Sequence, residues 1–347
     1  MAKKRVILVG SQNLGGEPDD GETMKNHLIG LQLEKLALTV SRIDLRHRPA
    51  RCLYLVKYLY ELAFHRKARI VMSASSLVAS RMLRVARWMG WKGRDIVYWV
   101  VGGSFGELVD SKRLRAEDYK DLSRILVQGR SMVKVLNANG LTNVQYLPNS
   151  KPIKYLPAKS SVAAGPVRFV FLSRVMPEKG VDYIVEAVRM LKDKGVEDFR
   201  VDLYGKVDAA YRDQISAETQ SLPNLAYKGF LKLDTAAGYD TLASYDMMLF
   251  PTYWHGEGFP GVILDAFIAG LPVIATAWNL NADLIQDGYN GLLIPVHDAR
   301  ALAEAMEQVI AGKVDLKAMS ERVQKDALQY DVDNVITPDL LRAVNIL

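Results

Sequence analysis

Two carboxylates in the second half of the chain, Glu257 and Asp265, have seven residues between them. Glu257 lies in the glycine-rich turn GEGFPG, which follows the apolar run MMLFP, and Asp265 is predicted about two turns into the next helix. A strand, a glycine turn and a helix direct free backbone N–H groups toward an anion such as phosphate. A carboxylate in such a cradle would repel phosphate, so Glu257 is predicted to accept hydrogen bonds from hydroxyl groups. Phosphate and hydroxyls together indicate a nucleotide-sugar.

Two cations follow another predicted strand of the same half. The apolar run VRFVFLS ends at Ser173, Arg174 comes next, and Lys179 stands five residues later, before Gly180 and a predicted helix. When a sugar–phosphate bond breaks, fixed cations stabilise the growing negative charge more than they stabilise the ground state. Arg174 and Lys179 are therefore predicted to hold a departing diphosphate in place of a divalent metal. Surface charges on a solvated loop are the alternative, which the presence of the Glu257 turn makes weaker.

The elements that must position these residues alternate between apolar runs of strand length and segments with helical periodicity. One series extends from RVILVG to NVQYLPN, and a second extends from VRFVFLS to ARALAEAMEQVIAG. This alternation predicts an α/β protein with two Rossmann-like, doubly wound domains that face each other across a cleft. Ligands of such sheets bind at the carboxyl ends of the strands.

The segment KPIKYLPAKSSVAAGP is rich in Pro, Ser, Ala and Lys, lacks periodicity, and is interpreted as a linker. We therefore predict a first, acceptor-binding domain over residues 1–157 and a second, donor-binding domain over residues 158–329. The C-terminal segment, residues 330–347, is predicted to contain a break and a last helix and to cross back onto the first domain.

Composition limits the class of protein. The chain has 347 residues, of which 49% are apolar and 24% charged, and this suffices for two ordinary domain cores. The apolar run after MAKK is too short for a signal-peptide core or a membrane span, and no other window approaches a spanning length. The single cysteine, Cys52, cannot form an intrachain disulfide, and the five histidines form no metal-binding motif. These features favour a cytoplasmic protein without a metal.

The segments SRVMPEKGVDYIVEA, EGFPGVILDAFIAGLPVIAT and DGYNGLLIP resemble those of the retaining glycosyltransferases of family four (glycosyl transferases group 1), which have the GT-B fold. The resemblance covers the whole second half in order and spacing, and it continues more loosely through LGG, LVQG and YLPN. It implies a nucleotide-diphospho-sugar donor in the second domain, an acceptor held mainly by the first domain, and no metal requirement.

The resemblance also implies roles for single residues of the second half. Arg174 and Lys179 would bind the diphosphate, and Glu257 would bind hydroxyls of the donor sugar. Asp265 would bind ribose hydroxyls, although the family usually has the longer Glu there, so its reach needs a water or a shifted helix. The backbone of the turn and of the helix start would line the sugar and the phosphate, through Gly258, Phe259, Gly261, Val262 and Ile263.

Weaker matches rest on backbone groups. The nucleotide base would pack against the loop YKGFL, near the backbone of Lys228 and Phe230. Gly16 matches the family's glycine loop near the donor phosphates, with a mobile glycine loop as the alternative. Gly103 follows DIVYWVV, where many relatives have a His that contacts the donor sugar. No His is present here, so a backbone contact, or an acceptor contact through Ser104 or Glu107, is expected. For the family, retention is explained by front-face displacement, in which the leaving phosphate helps to deprotonate the acceptor hydroxyl.

A basic block lies in the first half. From Arg42 to Arg94 there are 13 Lys and Arg and two acids, a local net charge of +11, whereas the rest of the chain sums to −5. The segment RCLYLVKYLYELAFHRK has the pattern of an amphipathic interfacial helix, and its alternative is an ordinary helix on the first sheet with its charges in water. An anionic membrane surface against residues 42–94, or a polyprenyl-linked acceptor, explains the charge better than nucleic acid does.

We therefore predict a metal-independent, retaining glycosyltransferase at the cytoplasmic face of the membrane. It would move a sugar from a nucleotide-diphospho-sugar to a glycan or polyprenyl-linked saccharide, as in bacterial surface-polysaccharide synthesis, without a cofactor and without nucleic acid. A nucleotide-sugar epimerase or a phosphorylase of the same fold is the alternative. A Rossmann dehydrogenase is disfavoured because no strand is followed by a full G-x-G-x-x-G. A non-catalytic binding module is a further alternative, in which Asp265 would mark a site that has lost its catalytic activity.

Overall fold

The structure is a computed structural model that describes residues 4–17, 20–46, 51–159 and 165–347, without the side chains of residues 51 and 52. Internal contacts divide the chain into two units, one of residues 1–152 and 330–347 and one of residues 153–329. Residues 153–157, which the sequence analysis placed in the first domain, therefore cluster with the second unit. Part of the predicted linker, residues 160–164, lies outside the described residues.

The first unit contains a six-stranded sheet in which every neighbouring pair of strands is parallel. The strands β1 to β6 are Arg5–Gly10, Thr39–Asp44, Arg69–Met72, Ile96–Trp99, Arg124–Val127 and Val144–Tyr146. Their spatial order is β2-β1-β3-β4-β5-β6. The helices α1 to α5 are Gly21–Lys35, Arg51–Phe64, Ser76–Trp88, Phe105–Asp110 and Arg130–Ala138.

The first sheet is covered on both faces. Ile7 and Val9 of β1 belong to a core cluster that includes residues of α2 and α3, whereas Val6 and Leu8 belong to a second cluster that includes residues of α1. Successive side chains of a strand point to opposite faces, and parallel strands buried on both faces read as continuous apolar runs. This is the physical reason why RVILVG could be identified as a strand from its sequence.

The second unit repeats the pattern with another six-stranded parallel sheet. The strands β7 to β12 are Val167–Leu172, Phe199–Tyr204, Leu225–Tyr227, Met247–Phe250, Val273–Thr276 and Gly291–Ile294, and their spatial order is β12-β11-β10-β7-β8-β9. The helices α6 to α12 are Val181–Asp193, Arg212–Ser221, Ala236–Ala243, Gly261–Ile268, Asn281–Leu284, Ala299–Ile310 and Leu316–Ala327. The two predicted Rossmann-like sheets are thus confirmed.

The C-terminal segment contains two short helices of the first unit, α13 (Val332–Val335) and α14 (Pro338–Ala343), where one last helix was predicted. The side chain of Gln32 on α1 donates to Asp333 Oδ1 at 2.9 Å and to the carbonyl of Ile336 at 3.2 Å, which ties this segment to α1. In the described part of the chain, no helix combines the length and the apolar character that crossing a bilayer requires.

The order of the second sheet creates a particular crevice. β7 and β10 are neighbours, and the chain continues from β7 to β8 and β9 on one side and from β10 to β11 and β12 on the other. Such a topological switch point opens a crevice at the carboxyl ends of the two strands, where ligands of open α/β sheets bind. Because Met248 lies opposite Val170 in this pair, the loops that follow β7 and β10 start side by side.

Candidate functional site

The loops after β7 and β10 touch through their backbones. Gly180 has a φ of +81°, and a Cβ built on it would lie 2.1 Å from the carbonyl oxygen of Pro251. Glycine alone permits both the left-handed backbone and this close approach. The N–H of Tyr253 also donates to the carbonyl of Glu178 at 2.9 Å. These contacts carry Lys179, which ends a single 3₁₀ turn, against the loop that contains Glu257.

Lys179 and Glu257 form an ion pair in this crevice. The Nζ atom of Lys179 donates to Oε2 of Glu257, and the two side chains are only 7% and 12% exposed. Thr252 Oγ1 donates to the same Oε2 at 3.1 Å. Burial lowers the pKa of the Lys179 ammonium, the carboxylate of Glu257 opposes that shift, and Arg174 adds to it. Within the described residues, Oε1 of Glu257 makes no hydrogen bond, so one carboxylate oxygen is available to a ligand hydroxyl.

Arg174 completes a group of three charges. Its guanidinium lies over the indole ring of Trp254, 5.1 Å from the ring centroid, and its side chain is exposed. Such a cation–π contact orients a guanidinium while its N–H groups stay free to bind an anion. Two cations and one carboxylate leave a local charge of +1 beside the switch point. The fold therefore brings together Arg174, Lys179 and Glu257, the three residues on which the sequence argument depended.

The glycine turn leads into α9, which starts at Gly261. Asp265 is therefore the fifth residue of the helix, little more than one turn in, and the predicted two turns are wrong. The N–H groups of Gly261 and Val262 belong to the first turn, whose donors have no partner within a helix and attract anions. The N–H of Ile263 donates to the carbonyl of Pro260 at 3.2 Å, so this predicted phosphate donor is already used inside the chain.

Asp265 is buried, and one of its oxygens is already engaged. Tyr239 of α8 donates its hydroxyl to Asp265 Oδ1 at 2.8 Å. Burial raises the pKa of Tyr239 and the Asp265 carboxylate raises it further, so this hydroxyl stays protonated and acts as a donor. Any ligand hydroxyl at Asp265 must share the carboxylate with Tyr239. Of the remaining turn residues, Phe259 is buried and Gly258 is half-buried.

Lys228 and Phe230 follow β9 at the edge of the second sheet. The N–H of Lys228 donates to the carbonyl of Leu203 at 2.9 Å and prolongs the sheet, which leaves its carbonyl as the backbone group that a ligand can contact. The Lys228 ammonium lies 3.8 Å from Asp202 Oδ1, and the Phe230 ring is exposed. An exposed ring in this loop offers a face for stacking, and contact with a nucleotide base stays a prediction.

Gly16 and Gly103 lie in the first unit, in loops at the carboxyl ends of its strands β1 and β4. The N–H of Gly16 donates to the carbonyl of Asn13 at 3.0 Å and closes a turn. The start of that loop is anchored by Asp44, whose Oδ1 accepts from the N–H of Gln12 at 2.9 Å. The roles of both glycines toward a donor stay predictions.

A third loop, after β11, supports the glycine turn and was not predicted from the sequence. The hydroxyl of Thr276 donates to the carbonyl of Thr252 at 2.5 Å, and Trp278 Nε1 donates to the carbonyl of Trp254 at 2.8 Å. Asn279 Nδ2 donates to the carbonyl of Glu257 at 3.0 Å. Such side chains leave no local sequence signal, because their partners come from the neighbouring strand. Among the residues that the structure describes, no cluster of three or more His, Cys, Asp or Glu is placed to hold a metal ion.

Residues 166–312, which include every site residue predicted in the second unit, match the family described as Glycosyl transferases group 1. The exopolysaccharide phosphotransferase of Streptomyces coelicolor is 26% identical over 55% of this chain and 19% of its own length. The amylovoran biosynthesis glycosyltransferase AmsK of Erwinia amylovora is 27% identical over 44% of this chain and 38% of its own length. The chain thus spans well under half the length of these two relatives.

Similarity to solved structures extends over the whole chain. HepE of Anabaena in complex with UDP has a TM-score of 0.75 and 16% identity, over 99% of this chain and 100% of that chain. The same protein in complex with UDP-glucose has a TM-score of 0.70 and 15% identity over the same shares. At this level of identity the likeness establishes the fold. The protein therefore has the GT-B fold predicted from its sequence, and its residues 166–312 are similar to the group 1 glycosyltransferases.

Proposed function

We propose that this protein is a glycosyltransferase that takes its sugar from a nucleotide-diphospho-sugar. The single observation that carries the proposal is the largely buried Lys179–Glu257 pair at the switch point, beside the exposed Arg174 and the start of α9. A diphosphate needs cations and N–H donors, and a sugar needs a hydrogen-bond acceptor. The crevice at the ends of β7 and β10 supplies all three within one contiguous set of loops.

Each group has a distinct task in this proposal. Arg174 and Lys179 neutralise the diphosphate and stabilise the charge that develops as it leaves. The N–H groups of Gly261 and Val262 bind a phosphate oxygen at the helix start. Oε1 of Glu257 accepts a hydrogen bond from a hydroxyl of the donor sugar, while its other oxygen is held by Lys179. The acceptor binds mainly to the first domain.

We propose transfer with retention of configuration and without a metal ion. The acceptor oxygen forms its bond to the anomeric carbon on the face from which the phosphate leaves, and the hydroxyl proton passes to the departing phosphate oxygen. No protein nucleophile takes part, and the two cations act where a divalent metal would act otherwise. The stereochemistry is tested by proton NMR of the first product formed, because an inverted anomer would contradict this step.

We propose a role in bacterial surface-polysaccharide assembly at the cytoplasmic side of the membrane. The similarity to an exopolysaccharide phosphotransferase and to an amylovoran biosynthesis glycosyltransferase supports the polysaccharide part of this role. HepE complexes with UDP and UDP-glucose make uridine diphospho-sugars the first donors to examine. The acceptor is proposed to be a glycan or a polyprenyl-linked saccharide. A nucleotide-sugar epimerase is the alternative, and it predicts conversion of the donor when no acceptor is present.

A thermal-shift panel of nucleotide-diphospho-sugars tests donor binding. At about 100 times its dissociation constant a ligand stabilises the folded state by about 2.7 kcal/mol, which for a domain of this size raises the melting temperature by roughly 5–10 °C. Arg174→Met should lose most of this shift. Arg322→Met is a matched control in the same unit, because its guanidinium also lies over a ring, that of Tyr289, at 5.0 Å. A full shift in Arg174→Met, or no shift with any donor, would contradict the proposal.

A further inference from the structure

Helix α2 exposes a continuous apolar stripe. Four large apolar side chains are spaced so that they lie on one side of the helix. They are Leu53, Val56, Tyr60 and Phe64, which are 67%, 61%, 54% and 72% exposed. The opposite side of the same helix buries Tyr58 and Leu62 in the core cluster on the sheet. A helix that is apolar on two sides is normally covered on both. In the described part of the chain, the outer stripe of α2 is not covered.

Helix α3 has a second exposed stripe of mixed character. Leu77 is 46% exposed and Trp88 is 80% exposed, and Arg81 and Arg84 lie between them at helical spacing, both exposed. The opposite side of α3 is buried in the same core cluster as α2, through residues such as Met82. An indole exposed to this degree is unusual for a soluble surface, because burying an aromatic ring is strongly favourable.

The two stripes form one surface because α2 and α3 are neighbours in one layer. The hydroxyl of Tyr58 on α2 donates to the carbonyl of Met82 on α3 at 3.2 Å. Arg66, just after α2, donates to the carbonyl of Met89, just after α3, at 2.5 Å. Both helices pack their inner sides on the same face of the sheet, so their outer sides face the same way. We call this the α2–α3 surface, formed by Leu53, Val56, Tyr60, Phe64, Leu77, Arg81, Arg84 and Trp88.

The exposed charges on helices α2 and α3 themselves are all positive in the described residues. Exposed cations lie on and beside the two helices, at Lys57, Arg66, Lys67, Arg81 and Arg84. The one acidic residue in the sequences of α2 and α3 is Glu61, which is buried. At the rim, Arg87 is paired with Asp121. Residues 47–50 of the basic block lie outside the described part of the chain.

We propose that the α2–α3 surface docks on an anionic lipid bilayer. The apolar side chains enter the boundary between headgroups and acyl chains, and the arginines and lysines contact lipid phosphates. Helices that lie in the membrane interface combine these two features, and indole and phenol rings favour the same depth. Nucleic acid would need the cations without the aliphatic stripe. The surface belongs to the first unit and involves none of the residues proposed to bind the donor.

Vesicle co-sedimentation of the full-length protein tests this docking. We expect the protein to sediment with phosphatidylcholine vesicles that contain about 30% phosphatidylglycerol and to stay in solution with phosphatidylcholine alone. Arg81→Ser/Arg84→Ser should weaken the partition about 30-fold, because each cation near an anionic surface contributes about one kcal/mol to binding. The triple variant Val56→Glu/Phe64→Glu/Trp88→Glu should abolish it.

Two controls match these variants. Leu31→Glu places a charge at a leucine of α1 that is as exposed as Leu77, at 46%, and lies at the opposite face of the same sheet. Lys313→Ser/Lys317→Ser removes two exposed cations from the second unit. Both controls should sediment with anionic vesicles as the native protein does. The assay contains neither donor nor acceptor, so a failure of the proposed glycosyl transfer does not change its outcome.

Three outcomes would overturn the proposal. One is no sedimentation with anionic vesicles, and another is native-like sedimentation of both the arginine variant and the triple variant. The third is a vesicle-independent dimer in analytical ultracentrifugation that the triple variant dissociates, because the surface would then be an interface between copies. A native-like thermal unfolding transition shows that a variant is folded, and if the triple variant fails this check, Arg81→Ser/Arg84→Ser decides the question.

Discussion

Replacing Lys179 by Met separates a structural role of the Lys179–Glu257 pair from a role in transfer. Removal of one partner from a buried pair typically costs about 3–5 kcal/mol, because the other charge stays without compensation. Glu257 keeps its hydrogen bond from Thr252, so we expect the low end, about 3 kcal/mol. A domain of this size loses roughly 2–4 °C of melting temperature per kcal/mol, which predicts a decrease of about 6–12 °C.

Together with the single variant Glu257→Gln, the double variant Lys179→Met/Glu257→Gln completes a thermodynamic cycle. Without the unpaired charge, it should recover part of the stability, with a coupling free energy of about 2 kcal/mol, within the range found for residues in contact. Transfer should behave differently. In the proposed function each group contacts the substrate, and each is therefore expected to contribute about 10²–10³ in kcat, as other preorganised electrostatic groups do. Restored stability in the double variant should therefore not restore activity.

The measurements are thermal unfolding and single-turnover transfer from the donor identified in the thermal-shift panel. Lys194→Met is the matched control, because Lys194 and Glu307 form an exposed pair at 2.6 Å in the same unit, and exposed pairs contribute little. The control should keep native activity and stability. Recovery of transfer together with stability in the double variant, or native kcat in Lys179→Met, would refute the argument and leave the pair a purely structural feature.

Further predictions concern the backbone, pH and metal ions. Gly180→Ala should destabilise the second unit by more than about 2 kcal/mol, because the new Cβ would overlap Pro251. The control Gly195→Ala is also at positive φ (+75°) but in open space, so it should cost about 1 kcal/mol. Equal losses of stability in urea unfolding would contradict the close approach of Gly180 to Pro251. Burial lowers the pKa of Lys25 to about 7 in the folded state, so above that pH the unfolded chain holds one more proton. The free energy of unfolding should therefore rise between about pH 7 and 9, by up to about 1.4 kcal/mol per unit from this group, and Lys25→Met should remove that part of the slope. Unchanged slopes in the variant would show that Lys25 titrates normally. EDTA should leave the transfer rate unchanged, and a loss that added Mg²⁺ or Mn²⁺ restores would disprove metal independence.

Much of the second unit could be predicted from its sequence, because the signals are local. Strands such as MMLF and VIAT are buried on both faces and therefore read as uninterrupted apolar runs. Gly180 precedes a helix at a position where only glycine fits, and the glycine turn leads into α9 as its residues predicted. The position of Asp265 within its helix was misjudged by about one turn, since the boundaries of elements depend on capping contacts that a pattern of residues does not contain.

The partners of the site residues came from tertiary structure alone. Lys179 and Glu257 are 78 positions apart, and they meet because β7 and β10 are neighbours in the sheet. Tyr239, which donates to Asp265, and Trp278, which donates to the carbonyl of Trp254, reach their partners across helices and strands in the same way. Hydrogen bonds of this kind are set by the sheet order, which the spacing along the chain does not encode.

The sequence by itself determined the residue types, their charges and the alternation of elements, which were enough to predict two parallel α/β domains and the charged character of the crevice. The resemblance of its motifs to a known family added the GT-B fold. It left two interpretations of the helix RCLYLVKYLYELAFHRK open, an interfacial helix or one packed on the sheet. The tertiary structure decided that α2 packs through Tyr58 and Leu62 while Val56 and Phe64 stay exposed. Exposure is a property of what surrounds a side chain, and only the folded neighbours of a helix decide which of its apolar residues they cover.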